Sequence, residues 1–383
     1  MVFKNNNNTY EKNVNILFIY NEGRAKRLNS KKNFPEDFFY FFNLLKKKYP
    51  NTDFIEMDPT TDNMVSKFIN LLEKIIRKAT NLPFYFSQII SKNNLGKILR
   101  SNLLVLTNET VGFSTLFMFW FLKSIRKEIK SIVFIMGFFN NLINTNKNSN
   151  FKNLILFKFL KLFDTFVFLG KKEYEYANLN FSKFSEKFVY IPFSIDLEFW
   201  KNENDNLIPK KYILFVGNDQ NRDFKLLKQI ANLLPEEKFI FVTNSDYFNL
   251  PENVTLISGS WRTEIITDND FKKLYMSSWL SIIPLKESLQ PSGQSVALQS
   301  MSMNIPVMIT YTEGFWEEHL FVDEKNIFFI KNGLNEWVSK IKNLEKRNDL
   351  NVVTDNAYKT VKEHFNLNNN FEYFEELVTR FLK

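Results

Sequence analysis

At 383 residues, with 50 Lys and Arg, 42 Asp and Glu, two histidines and no cysteine, the chain has length for two or three domains and a core that needs no disulfide or metal staple. The missing cysteines exclude thiolate and disulfide chemistry. His319 and His364 are too few for a His-based metal site, and any Ser/His/Asp relay would have to centre on one of them.

The stretch MVFKNNNNTYEKNVNILFIYNEG does not have the build of a signal peptide. Its apolar run, Ile16 to Tyr20, is too short, and no small-residue cleavage site follows. No stretch approaches the ~20 apolar residues that span a bilayer; the longest candidate is LFMFWFL at 116–122. A soluble or peripheral protein of the cytoplasm is expected. Charge is uneven: residues 1–200 hold 29 Lys and Arg against 17 Asp and Glu, a net of +12, and the remainder is −4. Such asymmetry points the first half at an anionic surface. Phe (43 residues), Asn and Lys are abundant throughout, which reads as composition bias and weakens any inference from one Phe cluster.

In chain order, NILFIY (15–20), DFIEM (53–57), NLLVLT (102–107), SIVFIM (131–136), DTFVFLG (164–170) and KFVYIP (187–192) are apolar runs of strand length separated by helical patterns. This alternation predicts an α/β fold with largely parallel sheets. The segment PEDFFYFFNLLKKK (35–48) reads as one helix, because Pro35, then Glu36 and Asp37, and three final lysines suit the helix dipole. In 113–130, an apolar run passes into Lys123, Arg126, Lys127 and Lys130. Taken with 35–48 and the +12 balance, this suits docking on an anionic bilayer; for either segment alone a core helix is the plainer reading. After IPFSIDLEFW (191–200) a polar stretch with Pro209 marks a domain boundary. Strands then resume with YILFVG (212–217), FIFVTN (239–244), VTLIS (254–258), LSIIPL (280–285), PVMIT (306–310) and IFFI (327–330), and FEYFEELVTRFLK closes the chain as an amphipathic helix. The expected division is 1–200, 201–360 and a terminal helical segment, 361–383, packing back toward the first domain. Ligands of doubly wound sheets sit beyond the carboxyl ends of the strands, so a cleft between the domains is the natural site.

Three segments of the second half carry chemistry. YILFVGNDQNRDFKLLKQIANLLP is a strand ending at Gly217, a loop with Asn218, Asp219, Arg222 and Asp223, and a helix from about Phe224. Such a unit offers backbone N–H groups to a ligand, and Arg222 adds a fork suited to phosphate; the alternative is a surface pair of Arg222 with Asp223. In PSGQSVALQSM, Gly293 permits close backbone approach and Ser292 can cap the helix. Gln299, about one and a half turns past Gln294, can reach a sugar or ribose hydroxyl, or lie solvated. TYTEGFWEE places Glu313, Gly314 and Glu317 after the next strand.

In order, spacing and context these segments, with TDNDFKKLYMSSWLSIIPL (267–285), resemble the carboxyl-terminal domain of GT-B glycosyltransferases, nearest to the large retaining group called family 4, over about 205–335. The first half matches in pattern: a strand, a loop with Gly23 and Arg24, and the hinge IPFSID. The resemblance implies two Rossmann-like domains facing a cleft, a nucleotide-sugar donor (a UDP-sugar as the best guess), hexose transfer with retention, and no cofactor or metal. It implies a diphosphate held by Gly217, Asn218, Ser292, Gly293 and Gln294, with Arg222 and Glu287 in the catalytic centre and Gln299 on the ribose. Gly23, Arg24 and Gly137 fall on the acceptor side.

The departures are specific. The family's two glutamates eight positions apart are Pro291 and Gln299 here, so sugar contacts fall to the backbone of 292–294 or to Glu287. Its basic residue after the strand glycine is Asn218, and Met136–Gly137 stands where a His is common. The SGQ loop reads as a subfamily feature. Asp268–Asn269–Asp270 matches the D-x-D that binds Mn²⁺ in the other glycosyltransferase fold, but it precedes a helical pattern, so a cap and acidic first turn are expected. Trp261 and Arg262 follow VTLIS near where relatives hold the base; core packing suits Trp261 equally. The expected acceptor is a membrane lipid such as diacylglycerol or a polyprenyl-linked sugar, reached from the inner face of the cell membrane. The alternatives are a transferase of polysaccharide assembly and, in another class, a nucleic-acid-binding or non-catalytic nucleotide-sugar-binding protein. No nucleic-acid recognition motif accompanies the charge, so no such partner is expected.

Overall fold

A computed structural model of the chain describes residues 14–30, 33–59, 64–126, 128–139, 150–202, 211–244, 249–259, 266–331 and 333–382. The apolar runs become twelve strands in two six-stranded sheets, with parallel pairing throughout both ladders. In the first sheet β1 (Ile16–Tyr20), β2 (Thr52–Glu56), β3 (Leu103–Leu106), β4 (Lys130–Ile135), β5 (Thr165–Phe168) and β6 (Phe188–Tyr190) lie in the order β2-β1-β3-β4-β5-β6. In the second, β7 (Tyr212–Val216), β8 (Phe239–Val242), β9 (Val254–Ile257), β10 (Ser278–Ile283), β11 (Val307–Thr310) and β12 (Phe328–Ile330) lie in the order β12-β11-β10-β7-β8-β9. Helices cover both faces, so central strands such as β1 and β3 are buried at every position. That is why they read as unbroken apolar runs rather than alternating ones.

The strand order reverses beside β1 and beside β7, and the loops at the carboxyl ends of the two sheets face one another. Gly137, after β4, lies against the Gln290 side chain, and Gly170, after β5, against Pro291. The chain crosses between domains twice. Ile195 N donates to the Phe365 carbonyl at 2.9 Å, and Leu367 N donates back to Ile195 O at 3.0 Å. The helix Leu367–Leu382 then lies on the first domain, where Phe374 stacks on Phe41 at 5.1 Å and Thr379 meets Tyr49 at 3.3 Å.

The single helix expected over 35–48 is broken. Asp37–Phe39 forms one 3₁₀ turn, Tyr40 and Phe41 adopt left-handed conformations at φ 51° and 70°, and the α-helix runs only from Phe42 to Lys48. Left-handed backbone costs a non-glycine residue on the order of 1 kcal/mol or more. Tertiary contacts outweigh it. Tyr40 packs on Phe134 at 5.0 Å and Phe41 on Phe374, while the Asp37 carboxylate turns inward to accept hydrogen bonds from Asp196 N and Trp200 Nε1, each at 2.6 Å.

Of the first domain's carboxyl groups, desolvation acts most on three, the buried Asp37 and Glu173 and the half-buried Glu109. Glu173 accepts from the backbone of Gly137 and Phe139 at 2.8 and 2.9 Å, Glu109 from Met136 N at 3.3 Å, and Asp37 as above. Burial pushes Asp37 and Glu173 up to about 7 and Glu109 up to about 8. Each therefore binds its proton more tightly folded than unfolded, where such groups titrate near ~4. The stability they lend is complete below that value and is lost as pH rises through the folded values. The urea midpoint is expected to fall between about pH 5 and 8, and Glu109→Gln should shrink that fall. A midpoint that stays level or rises across this range contradicts the assignment.

Candidate functional site

A cavity of about 230 Å³ lies between the domains. The second domain contributes Gly217, Asn218, Asp219 and Arg222 from the β7 loop, with Ser295, Val296 and Gln299 from the helix Gln294–Ser302. Arg27, Phe38 and Trp200 close it from the other side.

Arg222 is 3% exposed, and among the described residues its Nε and Nη1 have no hydrogen-bond partner. Asp219 Oδ2 stands 3.5 Å from Nη1, a charge contact rather than a well-formed hydrogen bond. Burial lowers the guanidinium from its ordinary pKa, with the Asp219 carboxylate opposing that shift. A buried, under-paired cation is costly, and an anion brought against it recovers the cost. Two glycines make the arrangement sterically possible. A Cβ at Gly217 would fall 2.1 Å from Arg222 Nε, and one at Gly293 would fall 3.2 Å from Nη1 and 2.7 Å from Ile283. The guanidinium therefore passes between the end of β7 and the start of the helix Gln294–Ser302.

That helix has Gly293 as its N-cap, at φ 82°, and no side-chain cap. Ser292 was the expected cap; its hydroxyl instead accepts from Asn221 Nδ2 at 2.9 Å, which also donates to Gln290 Oε1. The first-turn N–H groups are left without a side-chain acceptor, so helix dipole and guanidinium converge on one spot. Asp223 is the N-cap of the helix Phe224–Leu233 and accepts from Leu226 N at 3.0 Å. It does not form a surface pair with the buried Arg222.

Other expected residues are placed differently. Gln299 lines the cavity, yet its amide is engaged at both ends: Nε2 donates to Asp37 Oδ2 at 2.9 Å and Oε1 accepts from the Tyr275 hydroxyl at 3.2 Å. It bridges domains rather than waiting for a ribose. Gln294 is also a bridge, donating to the Leu169 carbonyl at 3.2 Å. Asn218 reaches the cavity but is tied to Gly259 O at 3.1 Å and Thr243 Oγ1 at 3.0 Å. Glu287 is exposed and does not line the cavity; its carboxylate accepts from Glu313 N at 2.7 Å, bracing the loop after β11. Glu317 pairs with Lys171 of the first domain at 3.0 Å.

On the first domain, Gly23 and Arg24 follow β1 and Gly137 follows β4, at the correct sheet ends but outside the cavity lining. The arginine that does line it is Arg27, which sequence reasoning passed over. It pairs with Asp268 through Nε at 2.9 Å and Nη2 at 3.1 Å, across the cleft. Asp270 turns instead to Thr267 and Lys273, so the two carboxylates of the D-x-D match serve separate partners. Among the described residues no three His, Asp or Glu side chains converge as a metal site. His319 and His364 are both exposed and away from the cavity lining.

Of the four basic residues expected to dock on a membrane, the three described have partners of their own. Lys123 is paired with Asp164 at 2.9 Å, and Arg126 with Glu128 at 2.9 Å. Lys130 opens β4 with Nζ 5.9 Å from the Phe381 ring. Lys127, Trp261 and Arg262 lie outside the described residues.

No protein-family model matches the chain. The curated protein Ycf2 of Anthoceros angustus is 26% identical over 204 residues, which cover 46% of this chain and 8% of that protein; the chain spans less than a tenth of the length of this relative. Solved structures match over nearly the whole chain. A glycosyltransferase from Rickettsia africae is 14% identical with a TM-score of 0.63, covering 97% of this chain and 99% of its own. Anabaena HepE, solved in complex with UDP, is 12% identical with a TM-score of 0.60 over 96% and 100%. Sucrose-phosphate synthase from Thermosynechococcus elongatus is 13% identical with a TM-score of 0.62 over 96% and 98%. At these identities the likeness establishes the fold, which is GT-B: two doubly wound α/β domains facing a cleft.

Replacing Gln299 by Ala removes one donor from the buried Asp37 carboxyl and the acceptor of the Tyr275 hydroxyl. A loss of about 1–3 kcal/mol in urea-unfolding stability is expected. An unchanged stability would mean that the inter-domain bridge contributes nothing.

Proposed function

We propose that the chain is a glycosyltransferase that takes a hexose from a nucleoside diphosphate and passes it to a membrane lipid. The observation that carries this reading is the buried guanidinium of Arg222, with two nitrogens that make no hydrogen bond among the described residues, held between Gly217 and the uncapped helix start at Gly293. A diphosphate is the group whose charge and size such a pair of positive ends accepts. UDP is the preferred nucleotide because HepE, of the same fold, binds it.

In this reaction the bond from the sugar's anomeric carbon to the phosphate oxygen breaks, and the electron pair stays with the diphosphate. The acceptor oxygen bonds to that carbon on the same face, and its proton passes to the departing phosphate oxygen. Retention and family 4 membership are what the sequence resemblance implies. Charge grows on the leaving diphosphate, so Arg222 and the helix dipole stabilise the transition state more than the ground state. No histidine is called for, and these two positive ends neutralise the diphosphate without a metal. Glu287 acts in this scheme by holding the loop at Glu313, and the sugar rests on the backbone of 292–294.

The cavity is smaller than the roughly 300–1,000 Å³ of usual ligand sites. Donor entry then requires the domains to part, which breaks the Gln299–Asp37 and Arg27–Asp268 bridges. A lipid acceptor is supported by the +12 balance of the first half. Among the described residues no helix is long and apolar enough to cross a membrane; in this reading the enzyme works as a peripheral protein on the inner face.

UDP should raise the melting temperature, and Arg222→Ala or Gly217→Ala should weaken UDP binding by roughly ten- to a hundredfold, the worth of about 1.5–3 kcal/mol of charge-assisted hydrogen bonding. With labelled UDP-glucose and lipid extract the wild type should form a glycolipid, EDTA should leave that activity in place, and Arg222→Ala should abolish it. Stabilisation by UDP with no sugar transfer to any extract would make the protein a binder rather than a transferase. No stabilisation by any nucleotide would overturn the site.

A further inference from the structure

Three helices of the first domain leave apolar stripes in water. On Met64–Thr80 the exposed side chains are Phe68, Leu71, Leu72 and Ile75, one face at i, i+3, i+4 and i+7. Glu109–Ile125 exposes Phe117, Trp120, Phe121 and Ile125, and Asn150–Leu162 exposes Phe151, Leu154 and Phe157. Trp120 is 63% exposed and Phe68 64%. The helix Asn150–Leu162 touches both of the others, so the three helices adjoin. With about half of each side chain in water the stripes sum to on the order of 1,000 Å², above the roughly 300–600 Å² of the largest apolar patch on a typical monomer.

The charge on these helices is one-sided. Among the described side chains, the exposed charged ones are Lys74, Lys78, Lys158 and Lys161. The acids are turned inward: Glu73 accepts from Ser87 N and Oγ, and Glu109 from Met136 N. A second copy of this chain would bring lysines against lysines. Aromatic and aliphatic side chains edged by lysine are instead the composition that enters the headgroup boundary of an anionic bilayer.

We infer that this three-helix face, which carries Trp120 and Phe121, is the surface by which the protein sits on an anionic lipid bilayer. It rests on the lipid-acceptor reading for its purpose, and it replaces the Lys123–Lys130 segment as the docking element. Trp120 and Phe121 anchor in the boundary region, while the four lysines meet the lipid phosphates. Salt should weaken the second contribution and spare the first.

The test is co-sedimentation of the whole chain with vesicles of phosphatidylcholine containing about one-third phosphatidylglycerol, at low salt and at about 0.5 M salt, where screening is nearly complete. Wild type should bind, and the doubly substituted Trp120→Glu, Phe121→Glu protein should bind at least about tenfold more weakly. Replacing Lys74, Lys78, Lys158 and Lys161 by Gln should remove the salt dependence. UDP-induced thermal stabilisation, read on every variant, should stay unchanged and so separates a folding defect from a docking defect. Vesicle binding without UDP stabilisation would overturn the transferase site and leave the docking face standing. Wild-type binding by the Trp120, Phe121 variant overturns the docking face, as does a wild-type dimer in light scattering that this variant alone dissociates and that shows no affinity for vesicles.

Discussion

One buried carboxyl group holds the two domains in register. Asp37 of the first domain receives a hydrogen bond from the hinge backbone at Asp196, another from the hinge indole of Trp200, and a third from Gln299 of the second domain. Each donor belongs to a different part of the molecule, so the carboxyl can be satisfied only when all three parts are in place. Leaving a buried polar group unpaired costs far more than a typical hydrogen bond gains, which gives the geometry its specificity. The left-handed backbone at Tyr40 and Phe41 is the local strain accepted for it. Trp200 also meets the Tyr275 ring edge-on at 5.8 Å, and one apolar cluster runs from Phe18 and Phe39 through Trp200 to Val296 and Met301. The cleft is thus a continuation of the core.

On that frame the site works by withholding contacts. Arg222 is positioned by the backbone on both sides of it: Asp223 N donates to Pro284 O at 3.0 Å, and Arg222 itself bridges to Leu285. Its side chain then threads a channel that two missing Cβ atoms leave open. The protein supplies little hydrogen bonding to the guanidinium in return, so the cation's field is directed at the cavity in surroundings of low dielectric. The Arg27–Asp268 bridge lies in the cavity wall, and its opening and closing would set access.

The abundance of Phe has two consequences. Inside, rings fill the helix–sheet interface: Phe113 stacks on Phe159 at 4.0 Å and Phe119 on Phe163 at 4.9 Å. Offset and edge-to-face aromatic pairs add to the area they bury, so a biased composition still yields a specific core. Outside, the same residue type at helical spacing leaves the stripes around Trp120. Composition alone cannot separate these two uses, because both read as apolar positions on an amphipathic or wholly apolar helix.

The strands were legible residue by residue. All six runs of each half became strands within a residue or two of their expected ends, because a strand covered on both faces writes itself as a short apolar run between turn residues. The β7–loop–helix unit, with Gly217 and Arg222, was legible for the same reason: its geometry is local, and its glycine and arginine sit within six positions of each other. The break at Tyr40–Phe41, the pairing of Arg27 with Asp268 and the capture of Gln299 by Asp37 were not. Each depends on a partner between 94 and 333 positions away, and nothing in the flanking residues names it. Helix spacing placed Gln299 on the cleft, yet only the approach of the other domain chose between a ribose hydroxyl and a buried carboxyl as its partner. Local backbone preferences act over a few residues and are written in the neighbouring chain; the satisfaction of buried polar groups is a contest among distant donors and acceptors, decided by how the two sheets come together.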